Sequence, residues 1–445
     1  MNHQSISSTE PNHFESLYPP DSRFDEIEKA LSFIKTGNSC QVISLPGVGR
    51  ADILGLLAYN RAARLLHLKE NQKWFHFVMM NFSEIRGRNL ADATKYIFLE
   101  LKNSLEQREI EEFETVNKIL QECLKSNDNF VFFQGLKKAL DYLCLEKELT
   151  VVFLFDRFEE YIPSLTPQFF SNLRVFRDRA KYRFSVVFPV NKPLEESVGH
   201  EMLSSFYEFI EGNTIYLPLN DPKILNFRIS YIEKVNNKKI DPKILEEIVK
   251  LTGGHAKLTR MSVEVVDPEP VEGQSNKALA EFLLSKQRVR QVLNEIWKAF
   301  SPYEQSLISN GKASESSYLV ALGLVKENKL AVPLLETFAL GQNYETEKIV
   351  FEETKNEIFK GQVAISHGLT KSEFKLLKFM ILNPDKILGR DDAINAVWGE
   401  LSSTAGVTEQ ALDQLIFRLR KKIEENPNSP THMKTVKGRG FEFTP

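Results

Sequence analysis

The chain has 445 residues, of which 42% are hydrophobic and 26% are charged, and its formal net charge is −3 at pH 7. This length exceeds what one hydrophobic core organises, and the composition excludes long disorder, collagen-like repeats and a disulfide scaffold. Three scattered cysteines without metal-ligand spacing predict buried thiols and no structural metal. The absence of a signal-like start and of a long apolar run predicts a cytoplasmic protein that does not bind membranes.

The first 220 residues alternate between short apolar runs and long helical patterns. Residues 1–22 are polar and proline-bearing, which is typical of a flexible terminus. The apolar runs are 41–45, 74–82, 150–155, 183–190 and 214–219. Because several of them are apolar throughout, they predict strands of a parallel sheet that is covered by helices on both faces. Residues 23–220 are therefore predicted to form one α/β domain.

The middle of the chain is predicted to be mainly helical. Residues 221–266 carry apolar side chains at helical spacing, which indicates a small helical lid. Residues 267–286 begin with two prolines, a glycine and acidic residues, and are predicted to be a linker. Residues 287–345 combine three short helical patterns with a hairpin around Asn328, the order of a first winged-helix domain.

The last segment, residues 346–445, has the pattern of a second winged helix. Short strand patterns come before a helix whose start carries a capping box, with Thr370 as N-cap and Glu373 three residues on. A second short helix leads to a third, at about residues 408–425, which turns a basic face outward. A β-hairpin follows. The predicted fold class is thus multidomain, α/β plus α+β, with two winged helices after the lid.

Five motifs in this segment carry a resemblance: LTKSEF, LLKFMILNP, INAVWGE, LIFRLRKKIEENP and TVKGRGFEF. In order and spacing they resemble the effector domain of OmpR/PhoB-type response regulators. The resemblance implies that the third helix lies in the major groove of double-stranded DNA and that the hairpin touches the neighbouring minor groove. The residues expected to contact DNA are Thr408, Gln410, Asp413, Gln414, Phe417, Arg418, Lys421, Lys422, Thr435, Lys437 and Arg439.

These residues differ in what they are expected to do. Gln410, Gln414 and Arg418 are of the types that read base edges, whereas the lysines are suited to phosphates. Phe417 stands where the family pattern has a polar or basic residue, and it either contacts a thymine methyl group or packs. The plainer interpretation of the charged residues is a solvated helix face. Arg420 lies nearer the inner face, and solvation or an internal ion pair is expected for it.

A loop near the N-terminus has the context of a phosphate-binding loop. Residues 44–51, SLPGVGRA, join the first strand directly to a helix. In the usual GxxxxGK[ST] pattern a lysine reaches the phosphates and a hydroxyl binds Mg²⁺. Here Ser44 replaces the first glycine, Arg50 the lysine and Ala51 the hydroxyl residue, while Asp52 adds an anion. No hydrolysis, or weak hydrolysis, is therefore expected.

A second motif strengthens this interpretation, because the strand at 150–155 runs into Asp156 and then Arg-Phe-Glu-Glu, which resembles a Walker B motif. Together with TGGHAKLTR in the lid, the order of elements resembles a STAND-class or origin-recognition-like AAA+ ATPase module. The resemblance implies ATP or ADP as ligand, with Mg²⁺ held through Asp156 when nucleotide binds. The implied nucleotide contacts are Pro46, Gly47, Val48, Gly49, Arg50, Ala51, Asp156 and the sensor-like Asn191, while Glu159 or Glu160 would orient a water.

Plainer interpretations stand beside these roles. Asp156 and Asn191 also suit the ends of strands, and His255 of the lid suits a buried histidine as well as a nucleotide contact. An arginine cluster at residues 174, 177 and 179 could act on a neighbouring subunit, but it is better interpreted as an exposed basic helix.

Three functions are compatible with both resemblances. In the leading hypothesis the chain is a transcription regulator whose ATPase-like module senses a nucleotide, ligand or partner, because the residues before the DNA-binding segment lack the acidic pocket of a receiver domain. Further partners would be RNA polymerase, a signalling protein or a second copy of the chain. One alternative is an active NTPase in replication initiation or transposition. The other is a scaffold that binds no nucleotide and has a DNA-binding tail.

Overall fold

The computed structural model describes residues 18–126, 128–237, 239–266, 276–353, 356–361, 363–384, 386–399, 409–424, 426–427, 430–436 and 438–444. The chain divides into two compact units, Met1–Glu336 and Thr337–Pro445. Across the described ranges no helix combines the length and the apolar character needed to span a membrane. The predicted flexible terminus up to residue 17 and the predicted linker over residues 267–275 lie outside the described residues.

A parallel sheet with strand order β2-β3-β4-β1-β5 forms the centre of the first unit. Its strands are β1 (Cys40–Ile43), β2 (Phe75–Asn81), β3 (Thr150–Asp156), β4 (Phe184–Val190) and β5 (Thr214–Tyr216). All four pairings are parallel, and β1, β3 and β4 are buried along nearly their whole length. The predicted buried parallel sheet is therefore confirmed, with strand boundaries that differ from the predicted ones by at most a few residues.

Nine helices among the described residues accompany this sheet: α1 (Phe24–Lys35), α2 (Arg50–Tyr59), α3 (Arg61–Leu68), α4 (Leu90–Gln107), α5 (Phe113–Leu124), α6 (Asn129–Asp141), α7 (Pro167–Ala180), α8 (Leu194–Ser197) and α9 (His200–Leu203). The predicted lid is α10 (Pro222–Asn236), α11 (Pro242–Thr252) and α12 (Ala256–Val266). Both α10 and α11 begin with an aspartate N-cap followed by proline, which satisfies early N–H groups and presets the backbone.

The second half of the predicted linker is a helix instead, α13 (Asn276–Ser285). Leu279 and Leu283 are buried on it, because leucines four residues apart share one helix face and give the segment an apolar surface to pack. The helices α14 (Gln287–Lys298), α15 (Pro302–Ser309) and α16 (Ser317–Ala321) then lead into a hairpin of β6 (Val325–Lys326) and β7 (Lys329–Leu330). This is the element order that the sequence predicted for a first winged helix. The division between the two units falls within the next helix, α17 (Pro333–Glu347).

The second unit begins with an antiparallel sheet of β8 (Ile349–Glu352), β9 (Glu357–Lys360) and β10 (Val363–Ala364). Helix α18 (Lys371–Ile381), strand β11 (Ile387–Leu388), helix α19 (Arg390–Trp398) and helix α20 (Glu409–Ile423) follow, and strands β12 (Met433–Val436) and β13 (Gly440–Phe443) form the final hairpin. The predicted capping box at Thr370 and Glu373 is present. All three helices and both sheets contribute to one apolar core.

Strand β13 pairs with both β11 and β12, and one glycine makes the first pairing possible. Gly440 has φ of +129°, and a Cβ atom there would lie 1.9 Å from the carbonyl oxygen of Leu388. Only glycine avoids this overlap and adopts this conformation without strain. The hairpin that resembles a wing is thus joined to the start of α19 through β11.

Candidate nucleic-acid interface and nucleotide cleft

Helix α20 has one face in the core and the opposite face in solvent. Its buried side chains are Leu412, Leu415, Ile416, Leu419 and Ile423. The residues predicted to contact DNA that are exposed on the same helix are Gln410, Asp413, Gln414, Phe417, Arg418, Lys421 and Lys422. This division follows from the 3.6-residue period of the helix, which keeps residues three and four positions apart on one side.

Two of these exposed residues hold α20 in place. Arg390 at the start of α19 donates to Asp413 Oδ1 at 2.5 Å, and Lys422 Nζ donates to Glu373 Oε2 at 2.6 Å and to the Gly368 carbonyl at 2.9 Å. Burial alone would raise the pKa of Glu373, but the hydrogen bond from Lys422 and those at Thr370 lower it. Asp413 and Lys422 are therefore engaged in fixing the helix that carries the other candidates.

Arg420 and Glu424 connect the end of α20 to the wing. Arg420 donates to the Met433 carbonyl at 2.7 and 3.0 Å and to Thr435 Oγ1 at 2.8 Å, so its partners are wing oxygens and not the carboxylate of the expected ion pair. The Glu424 carboxylate accepts N–H groups of Thr431, His432 and Met433 at 2.7–3.2 Å. These contacts fix the wing relative to α20.

The wing itself exposes the remaining described candidates. Thr435 lies on β12, and Arg439 lies in the turn between β12 and β13, both exposed. Thr408 and Lys437 lie outside the described residues. Arg418, Lys421 and Arg439 are thus basic, exposed and located on the helix and hairpin that the sequence assigned to DNA.

In the first unit, the predicted nucleotide residues meet at one cleft of about 660 Å³. It lies beyond the carboxyl ends of β1, β3 and β4, which is where ligands bind in open parallel sheets. Its lining comes from the loop (Pro46, Gly47, Gly49, Arg50, Ala51, Asp52), from the segments after β3 and β4 (Asp156, Arg157, Glu159, Glu160, Asn191) and from the lid (Arg228, Lys257, Arg260). Val48, also predicted as a contact, is buried and is not part of this lining.

The loop is held by donors that bind its carbonyl groups. His255 Nε2 donates to the Pro46 carbonyl at 3.0 Å, the Lys257 N–H to the Gly47 carbonyl at 3.0 Å, and Arg23 Nη2 to the Val48 carbonyl at 3.1 Å. Within the described chain, the N-cap of α2, Gly49, provides no side-chain cap for the helix. The Asp52 N–H donates to the Gly49 carbonyl at 3.0 Å, so the N–H groups of Arg50 and Ala51 are the ones at the start of α2 that an anion at the cleft could bind.

His255 acts on the loop from a fully buried position. Burial lowers its pKa to about 4, and its Nδ1 accepts the N–H of Leu258 at 3.2 Å. The imidazole is consequently neutral at pH 7, with the proton on Nε2, and it donates to Pro46. This places His255 in a positioning role, as the plainer interpretation expected.

Charge balance distinguishes the cleft from an ordinary phosphate site. Among the described residues, each cation of the lining is ion-paired: Arg50 with Glu159, Arg157 with Glu160, Arg228 with Asp52, Lys257 with Glu295, and Arg260 with Glu264. Burial raises the pKa of Asp52, although Arg228 lies 2.7 Å away. Burial also raises the pKa of Asp156. A phosphate group would have to compete with these carboxylates for the cations.

The groups that line the cleft include backbone N–H groups suited to a phosphate and the carboxylates of Asp156, Glu159 and Glu160. Backbone N–H groups at a helix start favour a phosphate, whereas Ala51 has no side-chain oxygen for Mg²⁺. Over the described chain, no cluster of histidine, cysteine, aspartate and glutamate is suited to hold a metal ion. The residues thus fit a phosphate held by backbone N–H groups, and Arg50 at the start of α2 is one of the cations that line the same cleft.

Sequence reasoning missed the pairs that connect distant segments. Arg228 and Asp52 are 176 positions apart, and Arg23 reaches the loop across 25 positions. No local pattern marks such partners. The arginine cluster on α7 is only partly the exposed basic helix that was expected: Arg179 is exposed and pairs with Asp141, whereas Arg174 and Arg177 are half-buried and Arg177 lies over the Phe209 ring.

Comparison with known proteins agrees with the C-terminal geometry. Residues 366–443 match the family described as "Transcriptional regulatory protein, C terminal". The sensory transduction protein RegX3 of Mycolicibacterium smegmatis is 40% identical over 75 residues, covering 17% of this chain and 32% of that protein. The phosphate regulon transcriptional regulatory protein PhoB of Escherichia coli is 30% identical over 122 residues, covering 27% of this chain and 50% of that protein. The chain therefore spans a third to a half of the length of these relatives.

Among solved structures, the DNA-binding domain of RstA from Klebsiella pneumoniae in complex with its RstA box matches 22% of this chain and 90% of that chain, with 24% identity and a TM-score of 0.19. A Walker-type ATPase of Pyrococcus abyssi matches 74% of this chain and 99% of that chain, with 13% identity and a TM-score of 0.43. The ORC2 protein of Aeropyrum pernix in its ADP form matches 78% and 93%, with 13% identity and a TM-score of 0.40.

The two regions can now be classified. The second unit contains a winged-helix DNA-binding domain of the OmpR/PhoB regulator type, defined by its family match and by helix α20 and the terminal hairpin. The first unit has a P-loop ATPase-like fold, defined by its parallel sheet and by the strand order in which β4 separates the loop-bearing β1 from β3. The OmpR/PhoB-type resemblance of the C-terminal segment is therefore confirmed, and the parallel sheet of the first unit agrees with the fold that was expected for it.

Proposed function

We propose that this protein is a sequence-specific, DNA-binding transcription regulator whose P-loop module senses ADP or ATP and controls the C-terminal domain. The observation that supports sensing is the composition of the cleft: its lining comes from the α/β domain and from the lid together. A ligand that bridges two structural parts binds some of their arrangements better than others, and it therefore shifts the population among them.

The lid is already in direct contact with the phosphate loop. A Cβ atom on Gly47 would lie 2.7 Å from Lys257 Cβ, and His255 bonds to the preceding residue. Any movement of the loop toward a phosphate therefore changes a contact with α12. This arrangement supports a binding event that is transmitted to the lid, whereas an isolated loop would bind phosphate locally.

The same residues argue against rapid hydrolysis. Glu159 is paired with Arg50, and Glu160 lies near Arg86 and Arg157 at 3.5 and 3.6 Å, so both candidates for orienting water are engaged by cations. Ala51 offers no hydroxyl for Mg²⁺. Catalysis of phosphoryl transfer depends on placing metal and water at once, and here the hydroxyl ligand is missing while both carboxylates that would orient water are paired.

The test combines stability and DNA recognition in the full-length protein. Thermal unfolding is measured with excess ADP or ATP, with and without Mg²⁺, and duplexes are selected from a genomic library under the same conditions. Binding to the folded state raises the unfolding temperature, and about 2.7 kcal/mol is expected at a ligand concentration of 100 Kd. We expect a shift that requires no Mg²⁺ and a change in the affinity for one selected motif.

Two variants distinguish the proposed sensor from a scaffold and from an active NTPase. Arg50→Ala should abolish the nucleotide response and leave DNA binding without nucleotide unchanged. Selection of the same duplex with the same affinity, with no thermal shift, would instead support the scaffold alternative, which the balanced charges of the cleft also favour. Turnover that disappears in Asp156→Asn would support the active NTPase.

A further inference from the structure

Helix α20 exposes one large apolar side chain among its polar ones. Phe417 is 48% exposed, whereas Leu412, Leu415, Ile416, Leu419 and Ile423 are at most 3% exposed. A single exposed aromatic residue is common on protein surfaces and needs no explanation by itself. The position of Phe417 on α20, the helix predicted to read DNA, is what suggests a function for it.

Phe417 lies near the middle of the exposed face. Gln410, Gln414 and Lys421 stand seven and three positions before it and four positions after it, so the four side chains follow one line along the helix, opposite the buried leucines. In a helix that enters the major groove, the middle of the exposed face is the part that meets base edges, and its flanks meet the backbone. Phe417 thus occupies a reading position.

Within the described ranges, the surroundings of the ring argue against packing in the apolar core of this unit. Phe417 is not part of the apolar core, and its described contact is with Lys421, whose Nζ lies 4.6 Å from the ring centroid. Its polar neighbours on the flanks are engaged elsewhere, because Asp413 pairs with Arg390 and Lys422 with Glu373. The ring and the adjacent ammonium group are therefore presented together.

The chemistry of the major groove then selects one partner. Of the base edges there, those of G, A and C offer polar donors and acceptors, whereas thymine also offers the C5-methyl group. An aromatic ring makes no hydrogen bond and would remove water from polar groups without replacing it. We infer that Phe417 specifies a thymine, or another 5-methylpyrimidine, by burying its methyl group. This inference rests on the proposed role of α20 in reading DNA.

The experiment replaces single methyl groups in the DNA. The full-length protein first selects a duplex from a random library, and each thymine of that duplex is then changed to deoxyuridine, which removes only the methyl group. One substitution should weaken binding of the wild-type protein by about three- to five-fold, as expected for one buried methyl-sized group. The same deoxyuridine substitution should not change the affinity of the Phe417→Ala variant for the duplex. Replacing that thymine with 5-methylcytosine, paired with guanine, should retain more affinity than unmethylated cytosine.

Controls separate the possible failures. Leu382→Ala removes an apolar side chain of similar exposure, 52%, from outside α20 and should keep the deoxyuridine effect. A selected duplex with no methyl-sensitive thymine, or one whose sensitivity persists in Phe417→Ala, overturns the inference and leaves the DNA-binding function intact. If no duplex is selected, both the proposed function and the inference are wrong.

Discussion

The P-loop cleft and the recognition helix use their cations in opposite ways. In the cleft, Arg50 and Arg228 are held by Glu159 and Asp52, and the other lining cations among the described residues are paired as well. On α20, the ion pairs lie at the flanks, and Arg418 remains exposed next to the central line of the helix. Resemblance to a ligand-binding fold therefore does not establish a free ligand site, because ion pairs within the protein determine which charges are available to a ligand.

The largest effect on DNA affinity is expected for Arg418, the exposed arginine of α20. Arg418→Ala should weaken binding to the selected duplex by about 1–3 kcal/mol and relax the preference at one base pair, because arginine reads base edges. Arg439→Ala, in the wing turn, should weaken binding to all sequences alike and lower the salt slope by about one. Affinities at several salt concentrations measure both. Equal behaviour of the two variants would remove the distinction between reading and positioning.

The second prediction tests the framework that orients the wing. Burial opposes ionisation of Glu424, but the hydrogen bonds from Met433, Thr431 and His432 lower its pKa below the usual 4.5. A lowered folded-state pKa means that the stabilisation is complete above the unfolded-state value and is lost as the pH falls through the folded-state value. Glu424→Gln should therefore lower the free energy of unfolding at pH 7 by about 1–2 kcal/mol and reduce its acid dependence below pH 4.5.

The fluorescence of Trp398 can follow this unfolding, because Trp398 packs against the core of the second unit. In a full-length background with Trp74→Phe and Trp297→Phe, it is the remaining tryptophan of the three in the sequence. Urea titrations at pH 7 and pH 4 would then report the unfolding of this unit. An unchanged pH dependence in Glu424→Gln would show that the carboxylate does not stabilise the wing.

The contact between the phosphate loop and the lid gives the third prediction. Gly47 has φ of +82°, and alanine there would overlap Lys257, so Gly47→Ala should destabilise the first unit by about 1 kcal/mol or slightly more. Gly55→Ala on α2 is the matched control, since its Cβ would meet no atom within 4 Å. Thermal unfolding of both variants measures the difference, and equal stability would indicate that the loop and lid are not tightly joined.

The smallest effect is expected in the cleft, on the affinity for ADP. Glu159→Gln frees Arg50 for a phosphate and should raise the affinity for ADP by up to about five-fold, because a partly exposed ion pair contributes roughly 1 kcal/mol or less. Thermal shifts over a range of ADP concentrations measure it. Glu246→Gln on α11 is a control, since its partner Lys250 lies outside the cleft lining. Unchanged affinity would mean that the pair does not limit binding.

Local sequence patterns were enough to predict the helices and strands and much of the second unit. Strand runs, helix faces and the capping box at Thr370 depend on neighbours within a few residues, and these local preferences survived in the fold. The five motifs also identified the DNA-binding domain, and the altered residues Arg50 and Ala51 indicated a degenerate phosphate loop. The prediction of a linker over residues 267–286 was wrong for residues 276–285, which form a helix. Two leucines with helical spacing outweighed the loop-like residues before them.

Which charges remain exposed depends on contacts between segments that are distant along the chain. Lys422 and Arg418 belong to the same basic run, yet Lys422 meets the buried Glu373 from a helix 49 positions earlier, whereas Arg418 stays exposed. Arg50 meets Glu159, and Asp52 meets Arg228, only because parallel strands and the lid bring their ends to one edge of the sheet. Ion pairs form between groups that are close in space, and the distance along the chain does not predict that closeness.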